Sequence, residues 1–103
     1  MLFVNVSYIP GKEFDVLGVV KGNVVRSKHV GRDLMASLKN IVGGELVGYT
    51  EMLSEAREVA TTRMIDEARV LNADAIVNVR YASAAIMQGT AEIIVYGTAV
   101  KYK

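Results

Sequence analysis

Apolar residues recur along this chain with two different periods, and the changes between them divide it into elements. Leu2 to Ile9 is rich in β-branched and aromatic residues and reads as a strand, ended by the turn pair Pro10-Gly11. Residues 14–20 predict a second strand, and Lys21-Gly22-Asn23 a tight turn into a short third one at Val24-Val25-Arg26. The period then lengthens. Val30, Leu34, Leu38 and Ile41 follow one another at spacings of four, four and three, which places them on one face of a helix. Ser27 or His29 can start that helix, Ser27 being the better N-cap type. Gly43-Gly44 stops it, since glycine enters the left-handed region without a Cβ penalty.

Residues 45–49 read as a connector with some strand character, and Thr50 as the N-cap of a longer helix. Glu51 and Glu55 would then complement the positive end of its macrodipole. Leu53, Ala56, Ala60, Met64, Ala68 and Leu71 trace a buried stripe whose small central residues permit close packing. Asn72 is the expected left-handed residue after the helix. Between Ile76 and Tyr81 the period returns to two, with Val77, Val79 and Tyr81 on one face and Ile76, Asn78 and Arg80 on the other. After a connector containing Gly89, residues 91–101 form the last strand. Ile93 and Val95 face one way, and Glu92, Ile94, Tyr96, Thr98 and Val100 the other. Two largely apolar faces predict a central strand or one covered by another subunit. No linker, repeat or low-complexity stretch interrupts the pattern, so residues 1–103 are expected to form a single α+β domain.

Composition adds a surplus. Hydrophobic residues make up 51% of the chain and mean hydropathy is +0.27. Counted with its nine glycines and without its five tyrosines, the apolar share is about 55%, against roughly 45–50% in an average soluble domain. A domain of 103 residues has too little interior to hide that surplus, so part of it should face a partner, and a symmetric copy is the default. The final strand and the N-terminal strands are where the surplus concentrates. Twelve Lys and Arg balance eleven Asp and Glu, which argues against a nucleic-acid binder. There is no Cys for a disulfide or thiolate site. The N-terminal residues lack the basic start and cleavage pattern of a signal peptide, and no apolar run approaches a membrane span. The expected location is cytoplasmic.

One ordered set of short pieces points to a family. Gly18-Val19-Val20-Lys21-Gly22, Arg32-Asp33-Leu34 and Ile41-Val42-Gly43-Gly44 come first, then Tyr49 with Leu53, Ala56-Arg57 and Ala60. Ala73-Asp74-Ala75-Ile76-Val77 and the closing Gly97-Thr98-Ala99-Val100 complete the set. Together they span nearly the whole chain and resemble the YbjQ-like family. The resemblance implies a β-α-β-α-β(2)-type subunit, two helices packed on a mainly antiparallel sheet. It also implies assembly into a ring-like β/α-propeller homopentamer aided by short added strands, and a heavy-metal-binding label comes with the family. The sequence departs from the family pattern at Leu17, where some members have Cys, at His29, where Asn is common, and at Asn78, where Gly is common.

The candidate chemistry is sparse. His29 and Asp33, four apart, supply an imidazole and a carboxylate that could join a divalent metal site, but such a site needs three or four ligands and there is no second His. Arg32, Asp33, Tyr49, Arg57 and Asn78 are candidates for contacting a ligand or a neighbouring subunit, with Tyr49 and Tyr81 able to line a pocket or a ring pore. Charges between residues 16 and 32 are all basic, whereas residues 51–74 carry six acids against three Arg. On an amphipathic helix Glu55, Glu58, Asp66 and Glu67 are expected to face water, with Arg63 and Glu67 an ordinary i,i+4 pair. No nucleophile–base pair and no cofactor motif stands out. The reading is therefore a homo-oligomeric, non-enzymatic ligand-binding or scaffolding module. The alternatives are a heavy-metal-binding protein and an enzyme with a carboxylate/Arg site at subunit junctions.

Overall fold

The apolar run near the C-terminus becomes the centre of the fold. The structure is a computed structural model that describes residues 1–27, 41–42 and 45–103. Its elements are β1 (Leu2–Phe3), β2 (Phe14–Ser27), β3 (Ile41–Val42), β4 (Glu45–Leu46), α1 (Val47–Val70), β5 (Ala75–Met87) and β6 (Thr90–Tyr102). Four strands form a mixed sheet in the order β1-β5-β6-β2, with β1 parallel to β5 and the other pairs antiparallel. β3 and β4 make a separate two-stranded antiparallel ribbon. Among the described residues one helix, α1, lies on the sheet. The first helix read from the sequence falls almost wholly outside them, but Ile41, assigned to its face, is in β3.

α1 lays Ala56, Ala60, Met64 and Ala68, all fully buried, against Val20 and Val24 of β2, Ile76 and Val79 of β5, and Ile93, Val95 and Ala99 of β6. Alanines at this seam bring the helix axis close to the sheet, and Gly22 of β2 brings it closer still. A Cβ there would overlap the carbonyl oxygen of Ala60 and lie 2.6 Å from the Met64 nitrogen. This corrects the expected turn at residues 21–23. Gly22 is part of a continuous 14-residue strand, and its glycine makes room for a helix rather than reversing the chain.

The helix ends differ unequally from expectation. α1 begins at Val47, so Thr50 lies inside its first turn rather than capping it, and no acidic residue occupies that turn. At the other end Ala73 N donates to Ala68 O at 3.1 Å and Asn72 N to Arg69 O at 3.0 Å, with Asn72 at φ 58°. That is a Schellman termination with asparagine as the left-handed residue, and Ala73 packs against the cluster holding Ala68. Leu71, expected in the buried stripe, lies beyond the helix and is exposed. Asp74 then latches the junction onto β6. Tyr102 N donates to its Oδ2 at 2.8 Å, and Lys101 Nζ reaches Oδ1 at 3.4 Å.

A bulge changes the facing of β5. Val77 pairs with Thr98 and Arg80 with Tyr96, so Asn78 and Val79 together oppose Gly97, with Asn78 at φ 55°. Ile76 and Val79 consequently share the helix side, while Ala75 and Val77 face away and join Val100 in a second cluster. Alternation alone predicts Val77 and Val79 on one face. A regular period of two cannot register an inserted residue. Gly97 has no side chain because a Cβ would lie 2.7 Å from Ile76 Cγ2.

The N-terminal segment is less regular than the predicted strand 2–9. Only Leu2–Phe3 pairs as a strand, after which Val4 N donates to Ile76 O, and the carbonyls of Val4 and Val6 accept from Val79 N and Asn78 N at the bulge of β5. Val4, Ile9, Phe14 and Tyr102 cover the second cluster. Pro10-Gly11 does turn the chain: Lys12 N donates to Ile9 O at 3.1 Å with Gly11 at φ 74°. Beyond this cover the second face of the sheet is open among the described residues, and Val19, Val25 and Tyr96 are 70%, 51% and 44% exposed.

Candidate functional site

Where β1 stops, the outer edge of β5 continues alone. Tyr81 to Met87 carry no charge, are all exposed and have no strand neighbour on that side among the described residues. Between this edge, Phe3 and the middle of α1 lies an open cleft of about 780 Å³, lined by Phe3, Ser54, Arg57, Glu58, Thr61, Thr62 and Tyr81. A second cleft of about 670 Å³ shares Phe3 and Tyr81 and runs on past Asn5, Val79 and Arg80. Helical spacing assembles the first wall, since positions 54, 57, 58, 61 and 62 fall on one side of α1. The bulge assembles the second, because it returns Tyr81 to the helix side of the sheet.

Hydrogen-bond directions in the cleft follow from counting protons. Thr61 Oγ1 donates to Arg57 O at 2.7 Å, which uses its single proton. The 2.8 Å contact between Thr61 Oγ1 and Tyr81 Oη must therefore have the tyrosine as donor. This chain holds the Tyr81 ring against α1. The Arg57 guanidinium donates to Ser54 Oγ at 3.1 Å. The ion pairs among the described residues are Asp66–Arg69, Asp74–Lys101 and Asp15–Lys103, and none includes Arg57. Arg80, the cation of the adjoining cleft, donates to Asn5 O at 2.7 Å and to Val79 O at 3.0 Å.

The predicted site residues separate. Arg57 is in the cleft. Tyr49 lies in the first turn of α1 and lines neither cleft, and Asn78 sits at the β5 bulge with its N–H donated to Val6 O. His29, Arg32 and Asp33 lie outside the described residues, and with them the proposed metal pair. The chain has no Cys and one His, and among the described residues no three His, Cys, Asp or Glu side chains come together, so the donor set of a heavy-metal site is not found there. Sequence reasoning passed over Ser54, Thr61, Thr62 and Phe3. The hydroxyls on one side of α1 were a signal, but nothing local says that a strand edge lies across from them.

Arg63 and Glu67 do not form the expected pair. Arg63 donates to Asn23 O at 2.7 Å, and Glu67 Oε1 accepts from Lys21 N at 3.3 Å. Both side chains satisfy backbone groups on the edge of β2 that has no strand neighbour among the described residues.

The comparisons with known proteins fit this architecture. The family described as "Putative heavy-metal-binding" matches residues 1–103. A UPF0145 protein of Clostridium novyi is 57% identical over 101 residues, 98% of each chain, and one of Thermus thermophilus is 64% identical over 94 residues, 90% of this chain and 82% of its own. In fold the chain is similar to a protein of unknown function of the DUF74 family from Pediococcus pentosaceus, with a TM-score of 0.68 at 13% identity, covering 100% of this chain and 98% of that one. A match along the whole length at these identities leaves one assignment: the chain belongs to the YbjQ-like, or UPF0145, family.

Proposed function

We propose that this protein is a cytoplasmic homo-oligomer, a pentameric ring as the family resemblance implies, that serves as a non-enzymatic binding or scaffolding module. The observation that carries the reading is the uncovered β surface: an uncharged, exposed strand edge at Tyr81–Met87 together with the bare second face at Val19, Val25 and Tyr96. An exposed, uncharged strand edge is a template for pairing with another chain. The edge of β2, by contrast, is guarded by Arg63 and Glu67. Light scattering should return a multiple of 11.2 kDa, five-fold for the pentamer, and a monomer mass that does not change with concentration would end the proposal.

The family's label carries a second reading, heavy-metal binding, which for this chain rests on His29 and Asp33. Elemental analysis of protein purified without chelator decides it. Stoichiometric metal lost in His29→Ala supports it, and metal-free protein refutes it.

A further inference from the structure

The cleft between α1 and the β5 edge has more hydrogen-bond donors than the protein uses. Arg57 has five N–H groups and spends one on Ser54. Ser54 accepts that bond and keeps its own proton. Thr62 lines the cleft with no partner among the described residues. Glu58 is the one carboxylate in the lining, and Arg80 stands in the adjoining cleft. Unspent donors around a guanidinium, with few acceptors among them, are complementary to an oxyanion. Beside them Phe3 and Tyr81 present partly exposed aromatic surface, and Tyr81 is held in place by its bond to Thr61.

We infer that this cleft binds a small organic oxyanion, a carboxylate or phosphate monoester carrying a flat apolar body. The charged head lies between Arg57, Ser54 and Thr62, and the body lies against Phe3 and Tyr81. The inference rests on the binding role proposed above, and it requires that a subunit paired at the Tyr81–Met87 edge leave the Arg57 side of the cleft open.

The test is titration of the wild-type protein, in the assembly it forms, with phenyl phosphate, benzoate and neutral phenol, read by calorimetry and by amide chemical shifts. Saturable binding of an oxyanion is expected, with shifts centred on residues 54–62 and 79–83 and without saturation by phenol. Loss of the charge-assisted bonds in Arg57→Gln should weaken it about tenfold. Arg69→Gln, on the same helix but paired with Asp66, should leave it unchanged. Preference for phenyl phosphate would assign a phosphate ligand, and preference for benzoate a carboxylate. No saturable binding, or equal affinity in Arg57→Gln and wild type, overturns the inference. Light scattering on the same samples keeps the two proposals apart, because an assembled protein that binds neither anion sinks only this one.

Discussion

Asn78 and Asp74 show how single side chains set the geometry around them. Asn78 holds a left-handed conformation at the bulge, which asparagine and glycine tolerate and β-branched residues do not. The backbone conformation accounts for an asparagine here, with no ligand needed to explain it. Asn78→Gly should fold with little loss, whereas Asn78→Val should cost about 1–2 kcal/mol in chemical denaturation. Asp74 is held below the ordinary carboxylate range chiefly by the Tyr102 N–H, with Lys101 and Lys12 adding to the effect and burial opposing it. A depressed carboxylate stabilises the fold above its unfolded pKa and ceases to do so as pH falls through the folded one. Asp74→Asn should therefore melt below wild type at pH 7, and the gap should close as the pH is taken below about 4. A gap independent of pH would show that the charge of Asp74 contributes nothing.

At the scale of elements, the contact of α1 with β2 decides most of the architecture. The helix rests on backbone at Gly22, and the obstruction a side chain would meet is main chain rather than a movable side chain. Gly22→Ala should accordingly destabilise by about 1–3 kcal/mol, the usual range for overpacking. A loss below a few tenths would mean that the helix can slide. Glu67 contributes differently, by holding the Lys21 amide on the strand edge. In Glu67→Ala the Lys21 N–H should exchange faster with solvent while core amides of β6 keep their protection. Uniform acceleration across the sheet would instead report global destabilisation.

For the whole molecule, the apolar surplus lies elsewhere than the sequence alone suggests. The final strand was a leading candidate for a subunit contact, yet β6 sits between β5 and β2 with most of its apolar residues buried within the chain. Among the described residues the surplus that remains outside belongs mainly to β2, the bare end of β5 and the N-terminal segment, with Val70 and Leu71 at the end of α1 and Tyr96 from β6. Val19→Lys and Tyr96→Lys would place charges on that open face without touching the core. Each should lower the assembled mass in light scattering while leaving the circular dichroism of the subunit unchanged. Unaltered assembly in both would move the interface to the β5 edge, where Ile86→Lys is the corresponding probe.

What the sequence determined by itself is much of what depends on neighbours along the chain, though the helix start expected at Thr50 was not part of it. The small-residue stripe of α1, its asparagine-terminated end, the Pro10-Gly11 turn and the two-faced final strand were all legible, because helical period, turn chemistry and alternation are local properties. The place of Arg57 beside the packed stripe was legible for the same reason, and the structure puts it in the wall of the cleft. Tertiary structure alone decided that Gly22 is a point of helix contact rather than a turn. It also decided that β5 carries a bulge which reverses its facing, and that Ser54, Thr61, Thr62 and Tyr81 meet across a cleft. Each of these depends on what lies opposite a residue in space, and one chain read in order holds no local mark of it.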